Sequence, residues 1–269
     1  MKAVKLAILL SAVLASSACL NAADKPQNKD KDKGGAKVAD SGSFGIYLNG
    51  KRVGTETFSI TETVNAERRS AYSTTSSEIK FDDGKFKADQ TAEMQVSAKG
   101  ELRSYVWHAT VPQKEEASVE PKDQLLVEHV IPADQKTVDV PHMLPVSTVI
   151  LDDNFFSQRE VLLWWYLATG CQRKNNDLLC GTGKFVILVP HQHVSGNATL
   201  ELMGQDRVMV KGSERDLNKI KLETTGPQTM TWLNDQSHEE STQWLLWVDD
   251  QYKLIKMTVA GTGIEIVRD

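Results

Sequence analysis

The segment Phe44–Phe58 reads FGIYLNGKRVGTETF and has the pattern of a β-hairpin. Side chains alternate in character over its first strand, as they do where one face of a strand is buried. Asn49 and Gly50 follow, and both residues tolerate the positive φ angles of a two-residue hairpin turn. Val53–Thr63 then supplies the partner strand. The segment therefore predicts antiparallel β structure.

The strand pattern recurs along most of the chain. Short turns such as Asp82-Asp83-Gly84 and Lys99-Gly100 separate neighbouring segments. This favours a meander, in which each strand pairs with its neighbours in sequence. No repeat of fixed period is present, which argues against a propeller or a solenoid. The further predicted strands are Arg69–Phe81, Phe86–Ser97, Leu102–Val111, Phe185–Val189, Ala198–Met203, Arg207–Lys211, Ile220–Thr224, Gln243–Val248, Tyr252–Val259 and Ile264–Arg268.

One helix is predicted near residues 154–169, over Phe155–Ala168. Asp152 and Asn154 are suitable N-cap residues, and Gly170 suits the C-terminal end. Residues 161–168 are apolar on every side, so this part of the helix must be buried. A flat sheet covers only one side of a helix. We therefore predict a mainly β fold, a large curved antiparallel sheet or half-barrel of about 10–12 strands with the helix packed in its concave face.

The N-terminal residues have the order of a secretory signal peptide. Lys2 and Lys5 precede an apolar run, Leu6–Ala15, and small residues follow up to Ala18. The run is about ten residues long, too short to span a bilayer. We therefore expect residues 1–18 to be removed and the protein to be exported.

Cleavage after Ala18 would make Cys19 the first residue of the mature chain. This resembles a bacterial lipobox, although Ser16 stands where that motif prefers Leu. Cys19 is also the odd cysteine of three, which favours its lipidation. The alternative is ordinary cleavage, after Ala18 or Ala22, without lipid. The expected location is the periplasm, free or anchored to the outer membrane through Cys19.

Residues 19–42 are dense in Lys and Asp and poor in apolar side chains. Such a segment buries too little apolar surface to offset its ordering entropy, so we expect a disordered tether. Residues 43–269 then form a single domain. The net charge is −5 and no basic stripe is present, which excludes nucleic acid as an expected partner.

Both ends of the predicted domain resemble a known group of proteins. The hairpin motif from Phe44 to Phe58 is similar to the opening of exported bacterial families grouped as domains of unknown function. The segment Leu246–Met257, with Trp247-Val248-Asp249-Asp250 followed by Leu254-Ile255-Lys256, resembles their closing hairpin. The resemblance implies a large antiparallel β fold, similar in layout to periplasmic lipoprotein carriers. It brings no catalytic residues with it.

Two pairs of residues are candidates for covalent or metal chemistry. Cys171 and Cys180 bracket a short polar segment, and in an oxidising compartment the simplest interpretation is a disulfide. A redox or metal pair is the alternative. His191 and His193 point to one side of an extended segment and, with His142 or an acid, are candidate zinc ligands. The alternative is a solvated strand end after a proline, and we expect no cofactor.

The sequence contains no motif that identifies an enzyme class. A G-x-S-x-G nucleophile elbow is absent, and Gly181-Thr-Gly183-Lys184 lacks the spacing of a phosphate-binding loop. Paired carboxylates at residues 152–153, 239–240 and 249–250 lie at predicted turns or helix starts, where acids have capping and solvation roles.

Aromatic and aliphatic side chains of the helix region are candidates for the lining of a ligand cavity between helix and sheet. The alternative is that they form the core. We therefore hypothesise a non-catalytic exported binding or carrier-like protein for an apolar small molecule or lipid. An envelope assembly factor whose apolar helix contacts a protein partner is the second hypothesis, and a hydrolase or metalloenzyme is the third. The candidate cavity residues are Phe155, Phe156, Leu162, Trp164, Trp165, Tyr166 and Trp107.

Overall fold

A computed structural model describes residues 36–64, 70–85, 87–132, 136–152, 154–174, 177–225 and 241–269. The predicted signal peptide, Cys19 and residues 19–35 of the predicted tether lie outside this part of the chain. Within it, no helix is long and apolar enough to cross a membrane.

The described chain is mainly β with one α-helix, as the sequence predicts. The helix, α1, spans Ser157–Gly170, and a 3₁₀ turn spans Pro190–Gln192. The strands are β1 (Lys37–Leu48), β2 (Lys51–Val64), β3 (Ser70–Asp82), β4 (Lys87–Val96), β5 (Leu102–Val111), β6 (Glu115–Lys122), β7 (Leu125–Pro132), β8 (Val138–His142), β9 (Val149–Ile150), β10 (Cys171–Lys174), β11 (Asp177–Cys180), β12 (Gly183–Val189), β13 (Val194–Val210), β14 (Ser213–Thr225), β15 (Ser241–Val248), β16 (Leu254–Val259) and β17 (Ile264–Arg268).

Fifteen of these strands form one sheet in the order β8-β7-β6-β5-β4-β3-β2-β1-β17-β16-β15-β14-β13-β12-β9. Almost every strand pairs antiparallel with its neighbour in sequence, which confirms the predicted meander. The antiparallel pairing of β1 with β17 joins its two halves. At one end, β9 pairs parallel with β12. β10 and β11 form a separate hairpin directly after the helix.

The sheet has more strands than the predicted 10–12, chiefly because β6 to β9 were missed. Pro121 lies in β6 and Pro141 in β8. Proline cannot donate a ladder hydrogen bond, so it argues against a strand when only the sequence is known. In the fold, β8 is a terminal strand, where one side of the backbone needs no partner.

The sheet curls until its two ends meet. β9 contacts β5, and the 3₁₀ turn before β13 contacts β6. The backbone N–H of Leu102 donates to the carbonyl oxygen of Val146 at 2.8 Å. His193, next to that turn, bonds to Glu128 on β7. The sheet is therefore more closed than the predicted half-barrel, and its concave face surrounds an interior.

Helix α1 lies in this interior, as predicted. Its residues or those just before it bond to β2 through Glu56, to β3 through Ser77, to β5 through Tyr105 and to β17 through Arg268. These strands approach the helix from different sides. The observed helix begins at Ser157, two residues later than predicted. Phe155 and Phe156 lie before its first turn, and Phe156 is the N-cap residue.

The predicted tether boundary at residue 42 is wrong. β1 begins at Lys37, and the side chain of Asp40 is buried. Its carboxylate pairs with Lys253 and Arg268, which lie more than two hundred residues further along the chain. Because these partners are so distant in sequence, composition alone makes the segment 37–42 look solvated.

The hairpin of β13 and β14 covers part of the outer face of the sheet. β13 is a single strand of 17 residues, where the sequence suggested two strands, and its register shifts at Gly204. Near its tip, Val210 packs in a small second core, and Lys256 donates to the carbonyl oxygen of Met209 at 3.2 Å. The residues of this outer core are Val210, Leu217, Trp247, Ile255 and Val267.

Candidate ligand-binding site

Helix α1 runs from the interior of the curled sheet to its rim. Phe155 and Phe156, at its start, are completely buried, whereas Trp164 and Trp165 in its second half are only partly buried. β1 begins at the same rim, because Lys37 and Trp164 line one open space. The rim therefore combines the aromatic half of the helix with the first residues of the folded domain.

An open groove of about 370 Å³ lies at this rim, and we call it the rim groove. It lies between the second half of the helix, the starts of β1 and β3, the end of β2 and the turn between β15 and β16. Its lining residues are Lys37, Val38, Ala39, Glu62, Tyr72, Trp164, Leu167, Gln251, Tyr252 and Lys253.

Two aromatic rings shape the apolar wall of the rim groove. The rings of Tyr72 and Trp164 are tilted against each other with their centroids 5.3 Å apart. The indole N–H of Trp164 donates to the carbonyl oxygen of Tyr252 at 2.9 Å. This bond fixes the indole and satisfies its polar atom, so its ring presents apolar surface beside the groove.

Charged groups form the polar part of the groove. Lys37 pairs with Glu62 at 3.0 Å, and Lys253 pairs with Asp40 at 2.9 Å. A hydrogen bond from Ser70 lowers the pKa of Glu62 against the effect of burial, and Lys37 adds to this. Burial raises the pKa of Asp40, but hydrogen bonds to Lys253, Glu160 and Arg268 outweigh it and keep the pKa below its usual value.

The space directly beneath the helix is much smaller than the rim groove. It measures about 20 Å³, close to the room that one water molecule needs. Leu162 and Trp165 line it from the helix, and the Trp165 ring lies so close to Gly100 that a Cβ there would clash. The space between these residues is therefore nearly filled, whereas the rim groove beside the helix is open.

The candidate cavity residues separate into three groups. Trp164 lines the rim groove, and Trp165 and Leu162 line the small space beneath the helix. The other four belong to the main core, where each is buried: Phe155, Phe156, Tyr166 and Trp107. Tyr72, Tyr252 and Lys253 line the groove without having been predicted. Tyr72 comes from β3 and the other two from the turn between β15 and β16, so no spacing rule connects them.

The first turn of the helix lies in a buried polar cluster. The Oε2 atom of Glu56 accepts a hydrogen bond from the N–H of Phe156 at 2.8 Å, and its Oε1 atom accepts one from the hydroxyl of Ser157 at 2.7 Å. Burial raises the pKa of Glu56 to about 7, although the bonds from Ser157 and Phe156 and the charge of Arg159 oppose it. A strand carboxyl thus caps the helix, where we expected Asp152 or Asn154.

Asp152 and Asn154 instead form hydrogen bonds with other side chains of the same cluster. The hydroxyl of Tyr105 donates to Asp152 at 2.6 Å, and the amide of Asn154 donates to Gln90 at 2.8 Å. Burial, together with the charge of Asp152, raises the pKa of Tyr105 well above its usual value. We call this set the polar plug, and its members are Glu56, Ser77, Gln90, Tyr105, Asp152, Asn154, Ser157 and Gln158.

Glu128 joins the two ends of the sheet. Its completely buried carboxylate bonds to Nε2 of His142 at 2.9 Å and to Nδ1 of His193 at 3.0 Å. These are two of the histidines considered for zinc, while the side chain of His191 is outside the described structure. Among the described residues, no group of three His, Cys, Asp or Glu side chains is placed to hold a metal ion.

The predicted disulfide is present in the structure. Cys171 and Cys180 are bonded and face each other across the β10–β11 hairpin, with Cα atoms 4.1 Å apart. The hairpin follows the helix directly, and the N–H of Gly181 donates to the carbonyl oxygen of Gly170 at 3.1 Å. The disulfide therefore closes the chain segment that leaves the interior at the rim.

Comparison with known proteins gives no family assignment. No family model matches the chain, and no curated protein matches it. Among solved structures, it is similar to a crystal structure of a β-barrel-like protein of the domain of unknown function DUF1849 from Brucella abortus, with 11% identity and a TM-score of 0.45. That similarity covers 87% of this chain and 97% of the other. The values are too low to carry function across, and the description of the fold rests on this chain's own topology.

Proposed function

We propose that this is a non-catalytic, exported binding or carrier-like protein whose rim groove takes an apolar or amphipathic small molecule. The observation that carries the proposal is the pair of rings, Tyr72 and Trp164, in the wall of an open space of about 370 Å³. Sites for small molecules have volumes of this order, mostly apolar walls and a few placed polar groups.

The polar plug favours a binding role over an enzymatic one. Its members are buried around the start of the helix, and their hydrogen bonds join strands β2 to β5 to the helix and to the segment just before it. Neither Glu56 nor Asp152 lines the rim groove. The raised pKa of Glu56 is therefore a consequence of its burial where it caps the helix, away from the rim groove.

The position of the groove suits a protein attached to a membrane by its N-terminus. Lys37, the first residue of β1, lines the rim groove. If Cys19 carries lipid, the chain between it and β1 spans at most about 60 Å when fully extended. The groove would then stay within reach of the bilayer from which an apolar ligand is taken or to which it is delivered.

Binding of an uncharged apolar fluorophore, N-phenyl-1-naphthylamine, tests the proposal. The wild-type domain should enhance the fluorescence of the probe, and decanol should compete for the site. Trp164→Ala should weaken probe binding about tenfold, because removal of a well-packed aromatic contact costs roughly 1–2 kcal/mol.

Tyr47→Ala is the matched control, because Tyr47 is also a partly buried aromatic residue but packs against the outer core on the other face of the sheet. It should leave probe binding unchanged. Equal probe affinity of wild type and Trp164→Ala, with both variants folded, would overturn the assignment of the site to the rim groove.

Binding of a protein partner at the sheet edge is a second candidate function. β8 is a terminal strand of the sheet, and exposed apolar side chains lie on or beside it, including Val138 and Met143, which is 84% exposed. Leu162 and Leu163 of the helix are covered by the chain's own strands, so a partner would contact this edge. A photo-cross-linker at Val138 should then give a discrete protein adduct in the native host, whereas one at exposed Met209 should not.

A further inference from the structure

We propose that the rim groove selects an amphiphile with an anionic head group, carboxylate or phosphate, and that the ammonium of Lys253 holds this head group. The inference rests on the proposed function and specifies its ligand class. It starts from the unequal exposure of one ion pair. Lys253 and Asp40 lie 2.9 Å apart, but the lysine side chain is 34% exposed and that of Asp40 only 2%.

This asymmetry determines which charge a ligand meets. Lys253 lines the groove and its side chain is partly exposed, whereas Asp40 is buried and does not line the groove. A head group that enters the groove can therefore contact the cation without displacing the buried acid. Because the Nζ atom of lysine has three donors, the bond to Asp40 leaves others for a ligand.

Two further groups, Arg268 and Glu160, lie behind the pair of Lys253 and Asp40. Arg268 donates to Asp40 and also to Glu160, the latter at 2.9 Å. Burial raises the pKa of Glu160 well above its usual value, and its hydrogen bond with Asp40 adds to this, although Arg268 opposes it. Arg268 therefore bonds to both buried carboxyl groups, and Lys253 is the member of this cluster that lines the groove.

The remaining charged pair that lines the groove is already balanced. Lys37 bonds to Glu62 at 3.0 Å, so this wall contributes no net charge. The rest of the lining is mainly apolar or aromatic, from Val38, Tyr72, Trp164 and Leu167. An alkyl chain fits beside these side chains while its anionic head lies at Lys253, which is the arrangement of an amphiphile.

Calorimetric titration with four ligands of equal chain length tests the inference: decanoate, decyl phosphate, decanol and decyltrimethylammonium, each below its critical micelle concentration. The two anions should bind the wild-type domain about fivefold more tightly than decanol, since one partly exposed ion pair contributes up to about 1 kcal/mol. The cationic ligand should bind more weakly than decanol. The stronger of the two anions identifies whether the head group is a carboxylate or a phosphate.

Variants of Lys253 assign the preference to this residue. Lys253→Gln should bring the affinity for decanoate down to that for decanol, and Lys253→Arg should retain the preference. Lys51→Gln is the matched control, because Lys51 is an exposed lysine at the opposite end of the β1–β2 pair, and it should behave as wild type.

The possible failures are distinguishable. Equal wild-type affinities for anions and decanol would overturn the head-group inference and leave the proposed function intact. This comparison uses only the wild type, so it holds even if Lys253→Gln does not fold. If none of the four ligands bound, the proposed function itself would fail. An anion preference that survives in folded Lys253→Gln would also overturn the role of Lys253.

Discussion

The two halves of helix α1 differ in burial, and the difference is the opposite of what their residue types suggest. The first half is polar, yet Ser157, Arg159 and Glu160 are buried. The second half is apolar, yet Trp164 and Trp165 are only partly buried at the rim. The curled sheet explains both facts, because strands around the first half, together with the segment just before it, supply hydrogen-bond partners. A buried polar group is tolerated when it is bonded.

This difference suggests separate roles for the two halves: the first anchors the helix in the sheet, and the second lines the rim groove. The first half is held by the polar plug, by stacking of Arg159 over the ring of Trp244 at 4.1 Å and by the bond of Glu160 to Arg268. The second half presents apolar surface to the rim groove. Substitutions in the core and plug should therefore change stability, whereas substitutions at the rim should mainly change binding.

The largest effect is expected for Leu163→Ala. Leu163 is completely buried in the main core, so the variant should lower the free energy of unfolding by about 2–5 kcal/mol. Leu167→Ala, the same change at the rim, should cost clearly less, because Leu167 is partly exposed. Urea denaturation measures both. Equal losses would contradict the distinction between the two halves of the helix.

Glu56 should make stability depend on pH. Its pKa is about 7 in the folded protein and 4.5 in the unfolded chain, so its contribution is complete below pH 4.5 and is lost as the pH rises through 7. The loss amounts to roughly 3 kcal/mol at 1.36 kcal/mol per unit. Denaturation over this range should show a clearly smaller decline in Glu56→Gln than in wild type. Glu160, whose pKa is also raised, accounts for the decline that remains.

Glu62→Gln is the control for this measurement. Glu62 lies on the same strand but near the rim, and its pKa lies below the usual value. Its contribution is therefore lost as the pH falls, and removing it should leave the decline between pH 4.5 and 7 in place. A decline of the same size in Glu56→Gln would show that another group is responsible.

Reduction of the disulfide should have an intermediate effect. A loop of this size contributes about 2.5 kcal/mol in the chain-entropy model. Cys171→Ser with Cys180→Ser should therefore lower the free energy of unfolding by that order, and neither cysteine of the folded wild type should react with a thiol reagent. Labelling of both without reductant would show that the bond does not form in the protein.

The smallest change in stability is expected for Trp164→Phe. The variant keeps an aromatic ring and loses one hydrogen bond, that to the carbonyl oxygen of Tyr252, so the cost should be about 1 kcal/mol. Binding of N-phenyl-1-naphthylamine should weaken at the same time. A loss of stability as large as that of Leu163→Ala would place Trp164 in the core and remove it from the site.

Local sequence patterns determined the elements of this fold. The turn at Asn49-Gly50, the alternating strands on either side of it and the apolar, Gly- and Pro-free segment before Gly170 each depend on neighbours in the chain. The disulfide was predictable for the same reason, since its cysteines are nine residues apart. The meander followed because antiparallel neighbours need only short turns.

Only the tertiary structure decided where the polar groups lie and which space stays open. Asp40 seemed part of a solvated tether, and Glu56 an ordinary strand residue, until the curl of the sheet brought Arg268 and the helix N-terminus to them. Tyr72, Trp164 and Lys253 line one groove although they are remote in sequence. Such contacts depend on how far the sheet closes, a property of all its strands together, so no local pattern in the sequence records them.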